Sequence, residues 1–325
     1  MNRRLEVGIL VGIPLKKKVG TQYETISLLF LQELENAETA DRRRLQIGES
    51  LAKIGDSRPG VAVKEGIPDI VWLPVRPGGQ VKITRIWLPD TPGDEAKVMH
   101  IQHFNVEPFY IAKYLVTYAQ YQAFVEAKDG FDNLVWWQGI PNAFQRQKLE
   151  EQRTKLLNNP RDSISWYQSV AFARWMNHRL QGLEVPHPSG KGVLRVGDNA
   201  HIRLPTEWEW QWAAQNGVEA RPYPWGEKNT GYANTAETGL KQAIAVGMYP
   251  HGAAASGALD MAGNLMEWCA NNKVNLEVID VESRDSKVLR GGDWGYGIEN
   301  ASCAYCDDED PSRIDILNGC RLVLG

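Results

Sequence analysis

Three times along this chain a Ser or Thr is followed three residues later by Gln or Glu at the head of an apolar pattern. The runs are Thr117-Tyr118-Ala119-Gln120, Ser165-Trp166-Tyr167-Gln168 and Thr206-Glu207-Trp208-Glu209. Each is a capping box, in which the hydroxyl accepts the amide three residues on and the Gln or Glu reaches back to the amide of the cap. Helices are predicted to begin there, carrying Tyr121, Phe124 and Val125, then Val170, Ala173 and Trp175, then Trp212 and Ala213. After Asn216-Gly217 the helical signal stops and the chain turns rich in Gly, Ala, Asn and Tyr. Long ordered loops of this kind need anchoring by buried aromatics, a bound ion, or both. The sequence supplies 12 tryptophans, whose rings bury large areas and suit a core poor in regular structure.

The remaining elements are short. Ile67 to Pro74 reads as a strand that ends in the turn Pro77-Gly78-Gly79. Val81 to Leu88 alternates as a strand should, and Phe109 to Val116 is a third. Residues 1–64 differ: Tyr23 to Leu34 and Asp41 to Ile54 are predicted helices, closed by Gly55-Asp56 and the linker Ser57-Arg58-Pro59-Gly60. The run Arg42-Arg43-Arg44 reads as a solvated helix face. The expected organisation is a small N-terminal helical element, 1–64, and an α+β domain, 65–325.

At 325 residues and 43% hydrophobic content, one large irregular domain with a small addition has enough apolar material for a core. A formal net charge of −4 gives no general reason to expect nucleic acid or an acidic membrane as partner. The apolar run Val7 to Leu15 is broken by Gly8, Gly12 and Pro14 and lacks a small-residue cleavage site, so a leader is not expected. Four cysteines in so long a chain make no disulfide framework, and a cytoplasmic setting is expected.

Taken together, the motifs resemble the formylglycine-generating-enzyme (sulfatase-modifying factor) family, in that family's order. They are Val71-Trp72-Leu73-Pro74 with Gly78-Gly79, Phe109 to Tyr121, Ile164-Ser165-Trp166 and Arg203-Leu204-Pro205-Thr206-Glu207-Trp208-Glu209-Trp210. Tyr223-Pro224-Trp225-Gly226, Leu259 to Cys269, Leu289-Arg290-Gly291-Gly292-Asp293-Trp294 and Gly319-Cys320-Arg321-Leu322-Val323 complete the set. The resemblance covers roughly residues 66–325 and implies an elaborated C-type-lectin-like fold with few helices, short antiparallel strands and long ordered loops.

Catalytic members of that family oxidise a substrate cysteine through a copper-binding cysteine pair, at the fourth and ninth positions after Arg-Gly-Gly. Those positions here are Tyr296 and Ala301. A soft cuprous ion needs thiolates, which neither a phenol nor a methyl replaces. The expectation is therefore no copper and no enzyme. Cys303-Ala304-Tyr305-Cys306 has neither a second pair nor a flanking His, which makes a poor zinc pattern. Related iron-dependent sulfoxide synthases carry a histidine triad in a separate helical domain. His100 and His103 form the one close pair here and read as structural or surface residues. The resemblance also implies structural calcium, with Asp260 and Glu267 flanking Met261-Ala262-Gly263-Asn264 as hard oxygen ligands. A second family calcium site maps onto Asn234, where the partner aspartate is replaced by Thr238.

Residues 293–320 stand apart. The frame Arg290-Gly291-Gly292, Trp294, Pro311, Gly319 and Arg321 is kept, while Asp293, Glu299, Asp307, Asp308, Glu309, Asp310 and Asp315 face Arg313 as the one base of the segment. From Gly295 to Cys320 there is no Lys, Gln, Met or Trp, four residues that adenine mutation of asparagine codons cannot produce; Glu299 and Glu309, not reachable that way either, would have to be unvaried positions. This resembles the variable proteins of diversity-generating retroelements, which share the fold and end in a mutated region. That resemblance implies a ligand-binding face of Tyr296, Ile298, Asn300, Ser302, Cys303, Tyr305, Asp307, Asp310, Ile314, Asp315 and Leu317, binding an unidentified protein or other macromolecule of basic character. The alternatives are a copper-dependent oxidase of sulfatase-type cysteines and a fixed-sequence scaffold protein.

Overall fold

The computed structural model describes residues 22–87 and 97–325. The apolar run Val7–Leu15, the end of the strand expected at Leu88 and the His100 side chain lie outside the described residues.

Two helices open the fold, α1 (Gln22–Leu34) and α2 (Asp41–Ile54). Gly55 closes α2 at φ 90°, a conformation open to glycine. The pair is not a free appendage. Leu34, Ile47 and Leu51 form one buried cluster with Ile244, Ala245, Met248 and Tyr249. At Gly48 an added Cβ would come within 2.7 Å of Ala245 Cβ, so the close approach of α2 needs a glycine. The arginine run is not a solvated face throughout. Arg44 is 1% exposed, donates to the carbonyls of Leu34 (3.2 Å) and Met248 (2.8 Å), and lies 5.0 Å from the Tyr249 ring centroid. The expected boundary near residue 64 is crossed by hydrogen bonds: Thr117 Oγ1 donates to Val61 O and Asn158 Nδ2 to Gly48 O.

The body that follows is α+β. Strands β1 (Val63–Lys64) and β2 (Ile67–Pro68) form a small ladder, and β4 (Gly79–Trp87) pairs with β5 (Lys97–Val106) as a long ribbon. A four-stranded sheet has the order β3 (Trp72–Val75), β6 (Phe109–Ala112), β14 (Val323–Leu324), β9 (Ile202–Arg203). Its third strand is β14, with Val323 opposite both Ile111 and Arg203, so it joins two segments far from it in the sequence. Between them lie β7 (Glu184–Pro186) and β8 (Val193–Arg195), a short hairpin. A second four-stranded sheet has the order β12 (Cys306–Glu309), β11 (Lys287–Arg290), β10 (Met266–Asn272), β13 (Asn318–Gly319), in which β13 runs parallel to β10.

All three capping boxes form as expected, opening α3 (Tyr118–Glu126), α4 (Trp166–Arg179) and α5 (Glu207–Ala214). Helices α3 and α4 pack Tyr121, Phe124, Phe172 and Trp175 against Phe131 and Trp137. Buried indoles act as anchors as well as filler: Trp166 Nε1 donates to Cys269 O at 2.8 Å, and Trp268 Nε1 to Ile164 O at 3.1 Å. The loops of 216–265 are held by buried amides. Asn264 Oδ1 accepts from Ile244 N (3.0 Å) and Asn234 Nδ2 (3.2 Å), and its Nδ2 donates to Ile244 O (3.2 Å).

Candidate functional site

The second sheet carries the terminal segment. Strand β11 ends at Arg290, and Gly291 and Gly292 then turn the chain at φ 96° and 65°. A Cβ on Gly292 would stand 2.5 Å from Asn300 O, so the turn is closed to larger residues. Arg290 is fully buried and holds the returning chain, donating to Cys303 O (3.0 Å) and Tyr305 O (2.8 Å). Its charge is met by Glu207 at 3.0 Å, which also binds Arg85 at 2.6 Å. The two guanidinium groups hold the Glu207 carboxyl below its usual range although burial alone would raise it.

The rest of the segment is tied down by its backbone. Cys303 N donates to Pro222 O, Ile86 N to Ala304 O, Ala236 N to Tyr296 O and Ile298 N to Glu237 Oε1. Neither Glu207 nor Glu237 was legible in these roles from the sequence, because neither partner is near in the chain; the Arg-Gly-Gly motif marked only one end of the Glu207 pair.

The residues expected to form the binding face divide into two sets. Tyr296 is 53% exposed and Asp310 is exposed, while Asn300, Tyr305, Asp307, Ile314, Asp315 and Leu317 are half-buried. Gly295 packs against Leu317, with 3.5 Å from a built Cβ to Leu317 Cδ2, which brings the Tyr296 and Leu317 stretches side by side. Ile298, Ser302 and Cys303 are not displayed. Ile298 is 1% exposed and packs with Tyr223, Ala233, Ala262 and Ala301, and Cys303 and Ser302 are 2% and 7% exposed. The reason is local: residues 298–301 form a 3₁₀ turn, whose three-residue repeat sends Ile298 and Ala301 to the same inner side. The charge tally of the segment also needs correction, since Glu299 pairs with Lys228 and Asp308 with Lys273, both bases from outside it. Arg313 stands 3.8 Å from Asp315.

The positions of the family's catalytic cysteines hold the exposed Tyr296 ring and the buried Ala301 methyl. All four cysteines are free thiols. Burial pushes Cys303, Cys306 and Cys320 up to about 12 and Cys269 well above its ordinary value, so none is a thiolate near neutral pH. His103 is an exposed residue of β5.

The expected calcium ligands do not fit a cation. Glu267 is fully buried with both oxygens engaged: Oε1 accepts from Arg321 Nη2 at 2.8 Å, and Oε2 from Arg321 Nε at 2.9 Å and Trp210 Nε1 at 3.0 Å. Its charge is already neutralised. Asp260 accepts Gly247 N at 2.6 Å and is pushed up to about 6 by burial. At the second family position, Asn234 Oδ1 accepts the Thr238 hydroxyl at 3.2 Å, an internal bond in place of a charged ligand. Among the described residues no three His, Cys, Asp or Glu side chains gather as a metal site.

The fold, the Arg-Gly-Gly turn and the two non-cysteine positions define a C-type-lectin-like domain of the formylglycine-generating type that lacks the sulfur pair. The chain belongs to the family described as "Sulfatase-modifying factor enzyme 1-like domain", whose profile matches residues 60–325. Among curated proteins it is similar to hercynine oxygenase of Mycolicibacterium thermoresistibile, 25% identical over 67% of this chain and 51% of that protein. It is also similar to inactive C-alpha-formylglycine-generating enzyme 2 of Bos taurus, 27% identical over 52% of this chain and 50% of that protein. The chain spans about half the length of these curated relatives. Among solved structures, Treponema denticola variable protein 1 shares the fold with a TM-score of 0.50 at 18% identity, covering 78% of this chain and 94% of that one. No helix among the described residues is long and apolar enough to cross a membrane.

Proposed function

We propose that this chain is a non-enzymatic binding protein that presents a C-terminal face on a lectin-like scaffold, in the manner of the variable proteins of diversity-generating retroelements. The observation that carries the reading is the pair Tyr296 and Ala301 at the family's catalytic cysteine positions, in a chain whose four thiols are all held protonated by burial. No cysteine stands at either position where that family holds copper. The face instead offers an exposed ring, half-buried polar groups and acids on a backbone fixed by buried arginines. Such pre-organisation lowers the entropy lost on binding, and aromatic and small polar side chains serve as contact residues in the same way as in antibody loops. Acidic character favours a basic partner and speeds encounter at low salt. Four free cysteines agree with a reducing, cytoplasmic setting.

The test is the DNA around the gene. A near-copy of the last hundred or so bases beside a reverse transcriptase, with mismatches confined to adenines of that copy, is the expected finding. Its absence would remove diversification and leave a fixed-sequence binder. Incubating a sulfatase-type cysteine peptide with the protein, copper and oxygen, then weighing it, tests the enzymatic reading. Formation of formylglycine would overturn the proposal.

A further inference from the structure

We infer that Asn272 and Lys287 become joined by an intramolecular isopeptide bond, a covalent strut across the mouth of the β10–β11 hairpin that forms with loss of ammonia. The inference is independent of the binding reading above and rests on the following geometry.

The two residues are direct partners in the antiparallel register of β10 and β11, so their side chains leave the same face of the sheet at neighbouring positions. Both are buried, Asn272 at 1% exposure and Lys287 at 0%. Lys287 Nζ meets Asn272 Oδ1 and donates to Asp280 O at 2.9 Å, and it lies over the Trp166 ring, 4.4 Å from its centroid. Its hydrogen bonds among the described residues thus go to an amide oxygen and a carbonyl, not to a carboxylate. A buried ammonium held in this way is costly. Burial pushes Lys287 down to about 8 even though Asp280 and Asp285 pull it up. The free amine, which is the nucleophilic form, is therefore accessible near neutral pH.

The amide is held from its other end. Asn272 Nδ2 donates to Asp285 Oδ2 at 3.1 Å and to Ser283 Oγ at 3.4 Å, and Asp285 N donates to the same Ser283 Oγ at 3.0 Å. The amine thus stands at the carboxamide oxygen, and a carboxylate stands at the nitrogen that would leave. Asp285 is exposed, so the departing side opens to water.

The neutral Nζ attacks Asn272 Cγ, forming the new C–N bond and moving the carbonyl electron pair onto Oδ1. The proton that Nζ sheds passes through the Asp285 carboxylate to Nδ2. The pair on Oδ1 then restores the carbonyl, the Cγ–Nδ2 bond breaks with its electrons going to nitrogen, and ammonia leaves. One amide replaces another, nothing is oxidised or reduced, and no co-reactant is needed. Strand register supplies the positioning that a reaction between free amine and free amide lacks. The product ties residues 273–286 at their base, next to the strand that leads into Arg290 and the terminal segment. In a chain whose four cysteines are free thiols, it is a crosslink that reducing conditions do not cleave.

The test is the intact mass of the full chain after denaturation, followed by trypsin mapping. The chain should weigh one ammonia less than its sequence, about 17 Da. Trypsin should release residues 242–273 branched to residues 285–290, with cleavage after Lys287 blocked. Lys287→Arg should carry the full mass. Asp285→Ala, at an exposed position, should leave most of the chain at full mass. A native chain of full mass that trypsin cuts after Lys287 would overturn the bond. So would a loss of ammonia without the branched peptide, as a succinimide at Asn216-Gly217 gives. Complete linkage in Asp285→Ala would overturn the proton transfer assigned to that carboxylate.

Discussion

The assignment of Glu267 to an internal ion pair rather than to calcium makes a quantitative prediction for Glu267→Gln. In the native chain Arg321 is fully buried, and among the described residues its hydrogen bonds beyond Glu267 go to the carbonyls of Ala112 and Leu259. The substitution keeps the shape and one oxygen but removes the charge, and it turns an amide N–H₂ toward the donors of Arg321 or Trp210. Removing one partner of a buried pair leaves an uncompensated charge at a cost of about 3–5 kcal/mol. For a domain of this size each kcal/mol corresponds to roughly 2–4 °C, so the thermal midpoint should fall by roughly 6–20 °C. The assay is thermal unfolding of both proteins at pH 7.5, with excess calcium and with chelator. The expected loss is the same in both, and chelator leaves the native midpoint unmoved. A loss below about 1 kcal/mol, or a native midpoint that depends on calcium through Glu267, would refute the argument.

Three further outcomes follow from the same structure. Asp293 has its pKa raised from 3.8 to about 6, chiefly by burial, with the Gly295 and Tyr296 amides lowering it and Asp315 and Asp307 raising it. Its contribution to stability is thus present below pH 4 and lost as pH rises to 6. Asp293→Asn should be neutral near pH 4 and stabilising above pH 6, on the order of 2–3 kcal/mol at most, as read from urea midpoints; a flat difference across that range would contradict the assignment. The three buried thiols, Cys269, Cys303 and Cys320, should react slowly with a disulfide reagent at pH 7.5 in the native state and all at once in denaturant, and a rapid native burst from Cys303 would show an opening absent here. Ile298→Asn should cost about 3 kcal/mol or more by placing an amide in the Tyr223–Ala301 cluster, whereas Tyr296→Asn, at an exposed position, should change stability by less than about 0.5 kcal/mol while altering partner binding.

What the sequence showed was whatever is written locally. Capping boxes are complete within four residues, so α3, α4 and α5 begin where they are expected. The helix at Asp41–Ile54 ends at its glycine for the same reason. What it hid depends on partners far along the chain. Arg44 sits in a run of three arginines that gives no sign of the Met248 carbonyl 204 residues away. Glu267 has the motif context of a metal ligand, and only the fold brings Arg321, 54 residues on, against it. Within the terminal segment, composition separated scaffold from face poorly because small polar residues tolerate either side. The spacing of Ile298 and Ala301 was the available signal, since two apolar residues three apart in a loop suit a 3₁₀ turn with one inner side.

The terminal segment thus combines a rigid frame with a substitutable rim. Arg290 and Arg321 lie at its two ends, each fully buried and each matched by a glutamate from another part of the chain, Glu207 and Glu267. Neither pair adds much net stability over apolar packing, but each fixes the direction of a strand, since moving it would strand a charge. Between these fixed ends the backbone bonds to residues 86, 222, 236 and 237 through main-chain groups and the Glu237 carboxylate, none of which depends on the side chain at the bonded position. The Tyr296 side chain is therefore uncoupled from the course of the chain, while Asp310 and Asp315 accept the Ser312 and Leu317 amides of their own turns and Ile298, Ala301 and Cys303 are locked in by packing. A face of this construction changes its chemistry by substitution without changing its shape. On the binding function proposed above, that separation lets the face change its contacts on one fold.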